Sequence, residues 1–284
     1  MAFATLVYSA SAAVAGATNT DFTAAVDSDF TQRSGHYTFS EDYNLAALAC
    51  VGASVTRGRI QSPTLNALGE VALFSANRSA TVPSNPYVEM FMPSGQWLNL
   101  PKNEEVQFQY SNNLGSSTEQ ETLVLWLTTD DWSANIPAPA GAPFNVTAKF
   151  RASFTVTPTV NAWSGPQAIA LSASLRNGVW AVVGGYVQGA NSIAWRIVFP
   201  KFKLYQGRKM RPGGLIQNAI GDVPAFNWPN GERIWGEFGR FHTFELPQIE
   251  VFGITASSTT YQVFLDLVYL GTDLGLLSQG LGAS

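Results

Sequence analysis

Charged residues are scarce in this sequence. Asp, Glu, Lys and Arg together make up 13% of its 284 residues, whereas about 25% is typical of soluble domains. The formal net charge of −4 argues against a nucleic-acid-binding protein, because such proteins normally present a basic face to the phosphates. The low charge also implies that much of the surface is polar but uncharged, or is buried against other chains.

Cysteine is almost absent, and long apolar runs are missing. The single cysteine, Cys50, excludes an intramolecular disulfide framework, and the apolar run at 45–51 around it predicts a buried thiol. No uninterrupted apolar run reaches the roughly 18 residues that a membrane-spanning helix needs. The Ala-rich start has no Lys or Arg before Arg33 and so lacks the basic segment of a secretory signal peptide. We interpret it as a strand, or as an arm that contacts a neighbouring subunit.

Few residues are suited to catalysis or metal binding. The two histidines, His36 and His242, cannot complete a zinc site, which needs three or four converging ligands, and neither accompanies a nucleophile motif. We expect His242 on a strand surface or at an interface. The pairs Glu104–Glu105 and Asp130–Asp131 leave open a glycosidase-like pair or a calcium site between subunits, although turns favour Asp in any case. We therefore expect no enzymatic activity and no cofactor.

The sequence is rich in residues that favour β-strands. It contains 18 Phe, nine Tyr and eight Trp, which supply large buried areas. Residues 144–157 alternate apolar and polar side chains, the pattern of a half-buried strand. Asn177–Gly178 predicts a tight hairpin between strands at 169–175 and 179–187. Residues 46–60 fit either a helix or a strand that begins at Leu48. The pattern as a whole predicts an all-β sandwich or barrel.

The chain divides into two similar halves. Residues 133–143 contain three prolines, one glycine and no charge, which predicts a linker because proline disrupts both helices and central strands. On each side a Leu-Pro pair, Leu100–Pro101 or Leu246–Pro247, precedes an alternating strand, a polar loop and a long apolar strand. We interpret each ending as a closing hairpin and the halves as copies of one β unit. The predicted boundaries are 1–132 for the arm and first unit, 144–273 for the second unit, and 274–284 for a flexible tail.

Two groups of residues are candidates for contacts with other molecules. A basic cluster next to Phe202 and Tyr205 could bind the phosphate of a genome or of lipid headgroups, or could be a solvated face with acidic neighbours. It consists of Lys201, Lys203, Arg208, Lys209 and Arg211. The aromatic candidates for a subunit interface are Trp97, Phe226, Trp228 and Trp235, three of them in or beside an irregular stretch at 206–234.

Two tandem β units joined by a Pro/Ala linker resemble the double jelly-roll major capsid proteins of tailless icosahedral bacteriophages, several of which enclose a membrane. The resemblance lies in the Leu100–Pro101 and Leu246–Pro247 endings and in Pro143, and it covers most of the chain. It implies two tandem jelly rolls, homotrimers with a pseudo-hexagonal outline, and no catalysis. It also implies a place in the virion after assembly in the host cytoplasm, beside other virion proteins and an internal membrane or genome.

Independent reasoning also favours self-assembly, because interface cores are poor in charge and rich in aromatic residues. Two other functions remain open at this point. One is a phage tail-tube or other tail protein, which would form rings or tubes. The other is a carbohydrate-binding adhesin module, in which Trp97, Trp228 and Trp235 would form a sugar platform.

Overall fold

The structure is a computed structural model that describes residues 3–12, 20–27, 30–51, 55–63, 73–74, 76–77, 89–90, 98–112, 119–128, 148–199, 211–217 and 239–277. The strands of the first half are β1 (Phe3–Ala12), β2 (Thr20–Asp21), β3 (Thr23–Ala24), β4 (Thr31–Arg33), β5 (His36–Thr38), β6 (Tyr43–Val51), β7 (Val55–Gln61), β8 (Leu73–Phe74), β9 (Ala76–Asn77), β10 (Glu89–Met90), β11 (Leu98–Leu100), β12 (Gln107–Asn112) and β13 (Glu119–Thr128).

The second half contains fewer but longer strands. They are β14 (Ala148–Val156), β15 (Gln167–Ala168), β16 (Ala170–Leu171), β17 (Val179–Gln188), β18 (Ser192–Val198), β19 (Gly213–Gln217), β20 (Gly239–His242), β21 (Gln248–Gly253) and β22 (Thr259–Gly271), followed by a 3₁₀ helix at Leu274–Leu277. The predicted linker at 133–143 lies outside the described residues, as does the tail beyond 277.

Each half is built from two layers of β-sheet. In the first half one layer has the order β10-β6-β13-β1-β3, with β9 and β11 also pairing with β6, and the other has the order β2-β12-β7-β8. In the second half the corresponding layers are β16-β14-β22-β17, with β20 on β17, and β15-β21-β18-β19. Parallel pairing of β17 with β19 joins these two layers into one curled sheet.

The two halves arrange their strands in the same way. In each half the first strand pairs with the last, β1 with β13 and β14 with β22. The last strand pairs on its other side with a middle strand, β6 or β17. The strand before the last lies in the opposite layer, where β12 pairs with β7 and β21 pairs with β18. This is the order of a jelly roll, and it confirms the predicted all-β, jelly-roll-like fold.

We call the layer with the first and last strands of a half its terminal sheet, and the other layer its internal sheet. The core of each half lies between these two sheets. The core of the first half includes Leu6, Phe108 and Leu125, and that of the second half includes Trp195, Val251 and Val263. Each set comes from both sheets of its half, as expected for a two-layer β domain.

Two buried tyrosines link the layers of the first half. The ring of Tyr8 lies 5.0 Å from that of Tyr37, nearly perpendicular to it. The hydroxyl of Tyr8 donates to the carbonyl of Val106 at 3.3 Å, and the hydroxyl of Tyr37 contacts the carbonyl of Ala25 at 2.6 Å. Burial, which disfavours the phenolate, raises the pKa of both tyrosines above the ordinary value.

The alternation predicted for residues 144–157 is confirmed where the structure describes it. In β14 the side chains of Ala152 and Phe154 are buried, whereas Lys149, Arg151 and Thr155 are exposed. The ambiguous region at 46–60 forms strands rather than a helix in its described parts. β6 and β7 cover most of it and lie in different layers.

Three predicted hairpins are wrong. The closing strands do not pair with each other, because β12 and β13 lie in opposite layers, and so do β21 and β22. Asn177–Gly178 does not join paired strands either, since β16 pairs with β14 and β17 pairs with β22. Gly178 has a φ of 144°, and a Cβ there would lie 2.4 Å from the carbonyl oxygen of Gly271. The glycine is therefore needed for a close approach of two backbones rather than for a two-residue turn.

Candidate functional site

The two halves contact each other through an apolar patch. The outer face of the first half's terminal sheet packs against the outer face of the second half's internal sheet. The patch consists of Val7, Ala25, Ala49, Val124 and Trp126 from the first half, and of Ile193, Ala194, Leu215 and Phe252 from the second. Because β18 contributes to this patch and to the core of its own half, residues 192–197 are all buried.

Backbone contacts cross the same interface. The amide of Thr5 donates to the carbonyl of Arg211 at 3.1 Å, and the indole Nε1 of Trp126 donates to the carbonyl of Gly213 at 3.0 Å. Gly213 lies so close to β18 that a Cβ would meet the carbonyl oxygen of Trp195 at 1.8 Å. Only glycine fits there without displacing the backbone.

A buried ionic cluster lies at this interface. The guanidinium of Arg196, on β18, contacts Asp27 of the first half through Nη1. It also contacts Glu250, on β21, through Nε at 2.5 Å. The side chains of Arg196, Asp27 and Glu250 are 2%, 0% and 4% exposed. The Nη1 of Arg211 lies 2.7 Å from the same Glu250 oxygen. Two cations thus balance two anions, which is the condition for tolerating buried charge.

The planar guanidinium of Arg196 has a further contact. Its Cζ lies 3.9 Å from the centroid of the Trp163 ring, a distance suited to a cation–π interaction. Trp163 in turn packs edge-on against Phe252 of the apolar patch, with the ring centroids 5.5 Å apart. Arginine suits this position because it can stack on an aromatic face and still donate in its plane. Replacing it by lysine would lose this geometry.

The outer face of the second half's terminal sheet presents a different surface. Tyr186 on β17 and Phe264 on β22 stack with ring centroids 4.5 Å apart and an interplanar angle of 16°. The rim is polar: Lys149 lies 3.2 Å from Asp266, and Arg151 donates to Gln262 at 3.0 Å. Lys149 is 80% exposed, so this rim faces solvent.

The outer face of the first half's internal sheet is polar. Nε of Arg59 on β7 donates to the side chain of Gln109 on β12 at 2.7 Å. Gln109 donates in turn to Asp21 on β2. His36 lies 4.0 Å from the same carboxylate, whose side chain is 48% exposed. These side chains form a row across three neighbouring strands.

Of the predicted contact residues, the structure describes Arg211 alone. Its side chain is 16% exposed and faces Glu250, so this member of the basic cluster takes part in the ionic cluster between the halves. The other predicted contact residues lie outside the described residues: Lys201, Lys203, Arg208, Lys209, Trp97, Phe226, Trp228 and Trp235.

The sequence predicts His242 on a strand surface or at an interface; in the structure its side chain is buried within the chain, 8% exposed. Its Nδ1 accepts from the amide of Phe244 at 3.2 Å. In the part of the chain that the structure describes, no three His, Cys, Asp or Glu side chains come together in a way that could hold a metal ion. The pair Asp130–Asp131 lies outside that part.

The ionic cluster is not among the sites predicted from the sequence. A signal for it exists, because Arg196 interrupts the apolar run at 193–198 and Glu250 stands between Ile249 and Val251. A charge inside an apolar strand requires a partner of opposite charge. The identity of that partner, however, depends on which sheets pack together.

Neither a protein-family model nor a curated protein sequence matches this chain. Among the described residues, no helix has both the length and the apolar character needed to cross a membrane. The features of the molecule that bear on its function are therefore its fold, the interface between the halves and the two outer faces.

Proposed function

We propose that this protein is a structural shell protein, the major capsid protein of a tailless icosahedral bacteriophage, which assembles as a trimer with a pseudo-hexagonal outline. The observation that carries this proposal is the packing of two jelly-roll-like halves with the same strand order against each other. Three copies would bring six similar units around one axis, which accounts for a nearly hexagonal trimer.

The interface between the halves suits a protein that acts through its shape. Domains in one chain move relative to each other unless their interface is large and apolar. Here Trp126 and Phe252 belong to a buried apolar patch, and Arg196 binds Asp27 across the interface. These contacts hold both halves in one arrangement, as a repeating shell requires.

Composition supports the same proposal. Charged residues make up only 13% of the chain, and subunit interfaces are depleted of charge and enriched in aromatic residues. On this proposal the partners are further copies of the chain and other virion proteins. The basic residues Lys201, Lys203, Arg208 and Lys209 are then candidate contacts to a genome or an internal membrane.

The test is the mass of the purified protein in solution, measured by light scattering after size exclusion over a range of concentrations, with negative-stain imaging. We expect about 92 kDa, three times the 30.6 kDa chain mass, and a hexagonal outline. Rings of other sizes or tubes would favour a tail protein instead. A monomer at every concentration would refute assembly and direct attention to glycan binding.

A further inference from the structure

One Asn-Gly pair has its reactive groups bound by a single hydroxyl. Asn177 is exposed, and Gly178 is buried immediately before β17. The amide of Gly178 donates to Oγ1 of Thr243 at 3.1 Å, and this hydroxyl donates to Oδ1 of Asn177 at 2.9 Å. Asparagine is a thermolabile residue. It is most labile before glycine, because a residue without a Cβ leaves its main-chain nitrogen open to approach.

The reaction available to such a pair is an attack within the chain. The main-chain nitrogen of Gly178 bonds to Cγ of Asn177 and loses its proton to water. The bond from Cγ to Nδ2 breaks, and ammonia leaves with a proton taken from water. A second water then opens the cyclic imide and yields either aspartate or isoaspartate, in which the main chain runs through the side-chain carbon. The net change is the hydrolysis of one amide, so it needs no oxidant or reductant.

Thr243 opposes the first step at both reacting groups. The nitrogen of Gly178 must give up its hydrogen bond to Oγ1 before it turns towards Cγ of Asn177. A threonine hydroxyl has one proton, and here that proton is donated to Oδ1. The hydroxyl therefore has no second proton with which to stabilise the amide anion that attacks. An attack within the chain also requires the reacting atoms to be aligned, and the bond to Oδ1 fixes the side chain.

The main chain around the pair is fixed as well. The carbonyl of Asn177 accepts from the hydroxyl of Tyr269 at 3.1 Å, and the carbonyl of Gly178 accepts from the amide of Thr243 at 3.1 Å. Gly178 lies against the end of β22, where an added Cβ would be 2.4 Å from the carbonyl oxygen of Gly271. Rotation of this peptide unit therefore requires its neighbours to move away first.

We propose that Asn177–Gly178 is a self-modification site that the fold keeps inactive, with Thr243 as the residue that restrains it. The pair reacts when the segment after β20 detaches in a local opening. Isoaspartate adds one carbon to the main chain directly before Gly178, whose backbone already lies close to that of Gly271. A chain that has reacted cannot restore this packing, so the modification permanently marks chains in which this end of the second half has opened.

The test measures how fast Asn177 is converted in the folded protein. Folded wild type, Thr243→Val and Thr243→Ser are incubated in mildly alkaline buffer and digested with pepsin at acid pH. Fragmentation mass spectrometry then quantifies Asn, Asp and isoaspartate at this position. Valine has nearly the shape of threonine without its hydroxyl, whereas serine keeps the hydroxyl and is the matched control. Wild type in urea gives the unrestrained rate, and Asn230–Gly231, the second Asn-Gly pair of the sequence, is the internal reference there.

We expect folded wild type and Thr243→Ser to react at Asn177 at least about tenfold more slowly than the unfolded chain. Thr243→Val should react about fivefold faster than wild type or more, because it lacks two hydrogen bonds. Tyr269→Phe, which lacks only the bond to the Asn177 carbonyl, is a second variant and should react about two- to tenfold faster. Thermal melting verifies that each variant is folded.

Gly213→Ala controls for general destabilisation, because its Cβ would disturb the distant strand β18, and it should leave the rate at Asn177 within about twofold. Equal acceleration in Gly213→Ala and Thr243→Val would assign the reaction to global unfolding and overturn the proposal. Equal rates in folded and unfolded wild type would overturn it too, as would Thr243→Val and Tyr269→Phe rates equal to wild type. A slower Thr243→Val would show that the hydroxyl assists the reaction, the reverse of restraint. The proposed function is tested separately, by the mass of the assembly.

Discussion

Removing the charge of Asp27 tests whether the buried ionic cluster holds the two halves together. Asp27→Asn keeps the size of the side chain but removes one carboxylate of the cluster, while Arg196 and Arg211 still contact Glu250. Breaking a buried ion pair by removing one partner costs about 3–5 kcal/mol, because the remaining charge stays buried. Since Glu250 still contacts Arg196 at 2.5 Å, we expect about 3 kcal/mol, at the lower end of that range.

A loss of that size is readily measured. In proteins of somewhat smaller size 1 kcal/mol lowers the melting temperature by about 2–4 °C, so a loss of about 3 kcal/mol in Asp27→Asn should lower it by about 6–12 °C in scanning calorimetry at neutral pH. Because the cluster joins the halves, we also expect the single unfolding peak to broaden or to separate into two. Both measurements must be made at a protein concentration at which the variant and the wild type have the same oligomeric state, because association raises the apparent melting temperature.

The matched control is the surface pair between Lys149 and Asp266. Lys149→Gln removes a charge at a distance of 3.2 Å from its partner, but its side chain is 80% exposed. Exposed pairs contribute roughly 0–1 kcal/mol, so the expected decrease is at most about 4 °C. If both variants shift the melting temperature by the same small amount, the reasoning about the buried cluster is refuted.

Two further predictions concern the interior. Burial raises the pKa of Tyr8 and Tyr37 above the ordinary 10.0, so their contribution to stability is full below about pH 10 and is lost as pH rises beyond it, because unfolding then releases phenol protons. The melting temperature of the wild-type protein should fall steeply above about pH 10, and that of Tyr37→Phe should fall less steeply. An equally steep fall in the wild type and in Tyr37→Phe would contradict this reasoning. Gly213→Ala should lower stability by about 1–3 kcal/mol in chemical denaturation, because its Cβ would meet the backbone of β18. The matched control is Gly275→Ala, whose Cβ would meet only the exposed carboxylate of Asp273. Its free energy of unfolding should be within about 0.5 kcal/mol of the wild-type value. Equal losses of stability in the two variants would argue against steric crowding at Gly213.

Much of the fold was predictable because local patterns carry it. β14 shows a strict alternation of buried and exposed side chains, and such a pattern is set by the two-residue period of a strand whatever it pairs with. The all-β class follows from many such strands, whereas the jelly-roll arrangement was expected only from the resemblance to a known family. The pairing partners do not follow in the same way, because β12 and β13 are adjacent in sequence but lie in opposite layers. The closing hairpins were predicted from strands that are adjacent in the sequence, whereas the last strand of each half pairs with strands that are distant in the sequence.

The interface between the halves was less predictable for the same reason. The apolar run at 193–198 indicates that β18 is a buried strand. It does not indicate that the second face of β18 contacts the other half. Asp27 lies in a polar segment typical of loops, and only the tertiary arrangement brings it to Arg196. Arg211 was assigned to a solvent-facing basic cluster because its neighbours in sequence are basic. Its partner, Glu250, is 39 residues away.

The pairing of the first and last strands has a consequence for how the chain reaches its folded state. Phe3 pairs with Thr128 and Ala148 pairs with Leu267, so neither terminal sheet can close until the ribosome has released nearly all of that half. Contacts between residues so distant in sequence slow folding, because loop-closure entropy is lost before they form. The second half also exposes Ala194 and Phe252 until the first half covers them. The ordered synthesis of the chain, with the first half complete before β18 emerges, therefore limits the time during which these side chains are available for aggregation.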